Sequence, residues 1–293
     1  MKTWKSRGLA AGLALLGLFA VSQAARAADG QTRVFNRSDP KGEVRIAVTV
    51  RGAGPLVVLV PSLGRGAADF DDLSRRLAKA GFTAAAVDPR GIGRSRGPSE
   101  GLTLFDYADD VAMAARGLSD RPAVFVGHAL GNRIVRAVAS RHSDQVSGLV
   151  LLAAGGQVPI APDVMKALNG VFDETKSPAD HLADVRLAFF APGNDPAVWR
   201  DGWFGDVARA QQAALAATPT EQWSGGGSTR ILIVQAADDT VAPPANAEAL
   251  VRAFPDRVKV TVLPDAGHAM LPEQPQAIAD LLIGYLKTGQ APR

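Results

Sequence analysis

Six short apolar runs, at residues 56–60, 83–87, 123–126, 148–152, 231–234 and 258–263, constrain this chain more than any other feature. Between most of them lie longer stretches with helical spacing, at 67–80, 104–118, 130–141 and 246–254, and a last one at 277–286 closes the chain. A strand that is apolar on both faces must be covered on both faces. Strands that alternate with helices are therefore expected in a parallel sheet sandwiched between helical layers. Residues 32–36 and 44–50 flank a turn-like segment, Ser38-Asp-Pro-Lys-Gly-Glu43, and read as an antiparallel hairpin on one edge. The expected fold is α/β, a mostly parallel eight-stranded sheet with helices on both faces.

The alternation stops once. Residues 155–229 carry helical patterns without a clear strand and hold three of the four tryptophans, Trp199, Trp203 and Trp223. This stretch reads as a helical cap or lid over the C-terminal edge of the sheet, where open α/β sheets bind ligands. It ends in Ser224-Gly-Gly-Gly-Ser228, which reads as a flexible connection. The expected organisation is thus a core formed by 28–154 and 230–293, with 155–229 inserted.

One junction carries chemistry. The run 124–126 meets Gly127-His-Ala-Leu-Gly131 and then a helical pattern. Glycine-x-serine-x-glycine between a strand and a helix is the sharp turn that exposes a nucleophilic serine. Here the central residue is Ala129, whose methyl group has no nucleophilic atom.

The chain resembles the α/β-hydrolase superfamily over about residues 32–286, most weakly in the insertion. Four landmarks occur in the order of that family. They are the loop Val60-Pro-Ser-Leu-Gly-Arg-Gly, the segment Asp88-Pro-Arg-Gly-Ile-Gly-Arg-Ser95, the elbow, and the pair Ala237-Asp-Asp-Thr-Val-Ala-Pro243 and Asp265-Ala-Gly-His-Ala-Met-Leu271. The resemblance implies that His268 is the catalytic histidine and Asp239 its acid. Asp238 competes for that role, but the family acid lies four residues before a proline, which matches Asp239 and Pro243. The resemblance also implies an oxyanion hole made by the backbone N–H groups of Ser62 and Leu130. Pro61 lacks an N–H, and the donor falls one residue later. The Ser62 hydroxyl is weighed as a substitute nucleophile, with a loop hydrogen bond as its plainer role. His128 is read as a structural residue beside the nucleophile position.

The N-terminus has the pattern of a signal peptide. Lys2, Lys5 and Arg7 precede an apolar stretch at 8–21, and Ala24-Ala-Arg-Ala27 offers small-residue cleavage sites after Ala27 or Ala24. Residues 1–27 are therefore expected to be a cleaved leader, giving a periplasmic or secreted protein without stable membrane insertion. Of 32 basic and 29 acidic residues, the first 27 positions hold four basic residues and no acid, leaving 28 against 29. With no basic stripe in the remainder, nucleic acid is not an expected partner. The chain has no cysteine, which excludes disulfides, a thiol nucleophile and thiolate metal sites. His142 and His181 show no metal-ligand spacing, so neither a metal nor another cofactor is expected.

These readings converge on an enzyme of hydrolase type. The expected partner is a small, mostly apolar ester or carbonyl compound, handled by a His268–Asp239 dyad without a serine nucleophile. The resemblance includes family members that need only such a dyad, for example cofactor-free oxygenases. The alternative is a non-catalytic small-molecule-binding protein on the same fold.

Overall fold

A computed structural model of the chain describes residues 30–156 and 158–289. The expected leader, residues 1–27, lies outside them. The sheet has eight strands: β1 (Gln31–Asp39), β2 (Gly42–Arg51), β3 (Leu56–Val60), β4 (Thr83–Val87), β5 (Ala123–His128), β6 (Val146–Leu152), β7 (Ile231–Ala236) and β8 (Val258–Leu263). Their spatial order is β1-β2-β4-β3-β5-β6-β7-β8. Strand β2 pairs antiparallel with both β1 and β4, and the remaining pairs are parallel. The hairpin is longer than its apolar pattern indicates. Asp39 faces Gly42 across a two-residue turn, so most of the polar Ser38–Glu43 segment is strand. Pairing on an exposed edge tolerates polar side chains that the apolar pattern does not register.

Helices α1 (Asp71–Lys79), α2 (Leu104–Arg116) and α3 (Leu130–Arg141) follow β3, β4 and β5. Strand β3 shows how two layers arise from one bare run. Leu56, Val58 and Val60 join a core with Leu104 and Val111 of α2 and Ile134 of α3, while Val57 and Leu59 join another with Leu73 and Leu77 of α1. Successive side chains point to opposite faces, so both faces must be apolar. Each fully buried valine or leucine contributes about 1.5–3 kcal/mol of burial free energy.

Between β6 and β7 the chain forms α4 (Pro162–Gly170), α5 (Pro178–Phe189) and α6 (Gly205–Ala216). Helix α5 begins where Ser177 caps it, its hydroxyl accepting from the Asp180 N–H at 3.1 Å, with Pro178 at the first helical position. Val164, Val185, Phe189 and Trp199 form a small core of their own, which also includes Ala269 beside His268. The Ser224–Ser228 segment, expected as a flexible connection, makes defined contacts. Gly226 and Gly227 both take positive φ, and the Arg136 and Arg257 guanidiniums donate to the carbonyls of Ser224 and Gly225 at 3.1 and 2.6 Å. Composition showed only the glycines; the two arginines that take up the loop's carbonyls arrive from α3 and from the residue before β8. Helices α7 (Ala245–Ala253) and α8 (Pro275–Thr288) complete the layers. No helix among the described residues is long and apolar enough to cross a membrane.

Candidate active site

The elbow is held by two close approaches. Val60 pairs in register with Gly127. A Cβ on Gly127 would lie 2.3 Å from the Gly131 carbonyl oxygen, and one on Gly131 would lie 2.1 Å from that of Val60. Both contacts are with backbone, so neither glycine admits a side chain unless β3, β5 and α3 separate. Ala129 sits between them at φ 50° and ψ −110°. That conformation costs a non-glycine residue about 1–3 kcal/mol. Its N–H donates to Leu152 at 3.0 Å and its carbonyl accepts from Asn132 at 3.1 Å, so the strained turn is anchored on both sides.

The close approach of β3 to the start of α3 also brings Ser62 beside Leu130. Both line a cavity of about 270 Å³ together with Ala129 and His268. Neither N–H is taken up by an acceptor among the described residues. The Leu130 N–H lies at the positive end of the α3 dipole, which favours developing negative charge. The Ser62 hydroxyl makes no hydrogen bond to His268.

His268 follows β8 on a loop tied from several directions. Its Nδ1 faces Asp239 Oδ2 at 2.9 Å and Oδ1 at 3.1 Å. Asp239 is buried, and its Oδ1 also accepts from the N–H groups of Val241 and Ala242 at 2.9 and 2.7 Å. The neighbouring Asp238 is exposed and makes only a backbone contact with this loop, its N–H donating to Ala266 at 2.9 Å. The geometry thus separates two acids that are alike in sequence. A carboxylate in contact with Nδ1 keeps the proton there, leaves Nε2 free to accept one, and stabilises the imidazolium that results.

His128 packs 5.3 Å from the His268 ring and is fully buried. Its Nε2 lies 2.8 Å from the His268 carbonyl oxygen. A carbonyl only accepts, so Nε2 carries the hydrogen and Nδ1 is left as a buried acceptor without a partner among the described residues. Burial, with the neighbouring His268 second, pushes its pKa down to about 3. His128 is a neutral strut between β5 and the His268 loop.

Two further side chains had no motif to mark them. Glu273, in a helical turn after His268, accepts from the N–H of Gly267 at 2.8 Å, the N–H of Ala191 at 2.8 Å and the Asn194 side chain at 2.7 Å. It joins the histidine loop to the segment after α5. Arg133, one turn into α3, lines the cavity. Of the insertion's tryptophans, Trp203 lines the cavity and Trp199 packs 5.9 Å from His128. Trp223 instead stacks on Arg136 at 4.7 Å, away from the cavity.

Comparison with known proteins decides the family. A family model described as serine aminopeptidase, S33, matches residues 53–275. The chain belongs to that family of α/β hydrolases. Over 243 residues it is 28% identical to a monoacylglycerol lipase of Mycolicibacterium smegmatis, a match covering 77% of the chain and 86% of the lipase. A 2-(acetamidomethylene)succinate hydrolase of Mesorhizobium japonicum is 37% identical over 111 residues, a match that spans 38% of the chain and 40% of that relative. An esterase from Thermogutta terrifontis superposes with a TM-score of 0.71 at 23% identity, over 88% of this chain and 98% of that one. This last likeness is one of fold. Family membership makes hydrolase chemistry the frame for the site.

Proposed function

We propose that the protein is an exported enzyme that acts on small, mostly apolar ester or carbonyl compounds through a His268–Asp239 dyad, with no covalent intermediate at Ala129. The observation that carries this reading is the Asp239 carboxylate, aligned on His268 Nδ1 at 2.9 Å beside a largely apolar cavity. A water molecule beside the Ala129 methyl gives its proton to His268 Nε2 as its oxygen bonds to the substrate carbonyl carbon. The resulting oxyanion accepts from the N–H groups of Ser62 and Leu130. Collapse breaks the bond to the leaving oxygen, which takes the proton back from His268. Segment 155–229 is read as the lid that excludes bulk water, and residues 1–27 as the export signal.

Three proteins test the reading: the native chain, His268→Ala and Ala129→Ser, each assayed on short-chain p-nitrophenyl esters. Turnover by the native chain that His268→Ala abolishes is the expected result. Activity only in Ala129→Ser overturns it and identifies a hydrolase that has lost its nucleophile. Inactivity of all three, with an apolar molecule retained on purification, identifies a binding protein instead.

A further inference from the structure

The wall of the cavity is unbalanced in charge. Among the described residues that line it there is no aspartate or glutamate. Besides His268, its one ionisable side chain is the half-buried Arg133, which has no hydrogen-bond acceptor and no ion-pair partner among the described residues. Its guanidinium stands 6.0 Å from the Trp223 ring and close to the backbone of Gly156, where a Cβ would lie 2.9 Å from its terminal nitrogen. One turn along α3, Arg136 is fully buried and also lacks a carboxylate. Its partners are the Asn132 side chain at 2.8 Å, the Ser224 carbonyl at 3.1 Å and the Trp223 face. Burial first, and the charge of Arg133 second, pull the Arg136 pKa down to about 9. Burial likewise lowers that of Arg133. Two like charges three residues apart on a helix repel each other. A guanidinium in a protein does not shed its charge as a lysine can.

A cation withdrawn even in part from water without a counter-ion is costly, and a protein ordinarily supplies a carboxylate; Arg136 is buried and Arg133 half-buried. Arg65 shows the ordinary solution in this chain. It makes two hydrogen bonds of 2.6 Å to Asp69 and packs against the rings of both Trp199 and Trp203. Arg133 lines the same cavity as Ala129 and His268 and has no such carboxylate among the described residues. The helix that carries it begins at Leu130, so its charge and the α3 dipole both favour a negative group in the cavity.

We infer that the substrate bears a carboxylate and that Arg133 binds it while the carbonyl group to be attacked lies between Ala129, His268 and the N–H groups of Ser62 and Leu130. The apolar middle of the molecule then rests on Met165, Leu168, Phe172 and Trp203. A volume of about 270 Å³ lies at the small end of ligand cavities, which suits a short half-ester or oxo-acid. This assignment rests on the reading of the cavity as a substrate site, and it specifies the class of substrate. Arg133 is a specificity determinant, and the proton transfers remain with His268.

Two measurements separate this inference from the catalytic reading. The first compares mono-p-nitrophenyl glutarate with p-nitrophenyl butyrate. The half-ester is expected to be preferred in kcat/KM by roughly 30-fold or more, the scale of a desolvated charge pair. Arg133→Met brings the ratio near one through KM, and Arg133→Lys keeps part of it. Thermal melting of Arg133→Met at or above the native midpoint shows that the loss is not one of folding, since the substitution removes an unpaired cation. The second titrates glutarate calorimetrically into His268→Ala, and again into His268→Ala with Arg133→Met. Binding that disappears in the double variant supports the inference even if no ester is turned over. Equal turnover of both esters, glutarate binding that ignores Arg133, or binding of inorganic phosphate in place of glutarate overturns it and leaves the dyad reading standing.

Discussion

Two imidazoles lie 5.3 Å apart at the end of the sheet, and nearly everything about them except their partners is alike. His128 is 0% exposed and His268 is 3% exposed. His268 receives a carboxylate at 2.9 Å, and its ring borders the cavity. His128 receives a backbone carbonyl and lies off the cavity wall. A carboxylate stabilises an imidazolium, whereas a lone carbonyl in a dry site leaves the ring neutral. The comparison teaches that burial alone does not make a histidine catalytic. The second partner decides whether charge can appear on the ring.

Five substitutions break or sharpen that contrast. The largest effect is expected from His268→Ala, which removes the base and lowers kcat on any turned-over ester by about 10²–10⁴. Asp239→Asn keeps the shape but leaves the imidazolium without its charge partner. Its kcat falls by about 10² or more with KM little changed, read from steady-state kinetics. Asp238→Asn serves as the control, since that carboxylate is exposed, and its rate stays within about twofold of native.

His128 contributes through acid stability. Its folded-state pKa, about 3, lies below the ordinary 6.5. The unfolded chain therefore binds this proton between those values and the folded chain does not. Stability is complete above about pH 6.5 and declines as the pH falls towards 3, by on the order of a few kcal/mol. Asp88 and Asp110, whose carboxyls burial raises, oppose the trend at its acid end. A difference measurement removes their effect: denaturant midpoints of His128→Gln are expected to depend less steeply on pH from 6.5 to 4 than those of the native protein. A uniform slope in both would show that His128 is charged in the fold.

The smallest effect belongs to the turn that holds the two rings. Ala129→Gly relieves the positive φ and is expected to raise stability by about 1 kcal/mol, measured by urea unfolding. A destabilisation there would mean that the alanine methyl packs better than the strain costs.

Much of this was legible in the linear chain, for a definite reason. Strands β3 to β7 are apolar and buried along most of both faces, as a covered parallel sheet requires, and the glycines at 127 and 131 mark a backbone contact that no other residue permits. The edge hairpin was under-read because polar strand and polar turn look alike. The contacts of the Ser224–Ser228 loop are not written locally, because the arginines that donate to its carbonyls come from distant segments.

The sequence by itself determined the doubly covered sheet, the elbow without a nucleophile, and the order in which Ala129, Asp239 and His268 follow one another. These are properties of local spacing, and local spacing is written in the chain. Only the tertiary structure decided that Asp239 is buried while Asp238 stays exposed, that His128 stays neutral, and that Arg133 has no counter-ion among the described residues while Arg65 has one. Those outcomes depend on which groups from distant segments reach the same dry space. An unpaired charge or a buried carboxylate is defined by its neighbours, and the neighbours assemble only when the sheet, α3 and the insertion pack together.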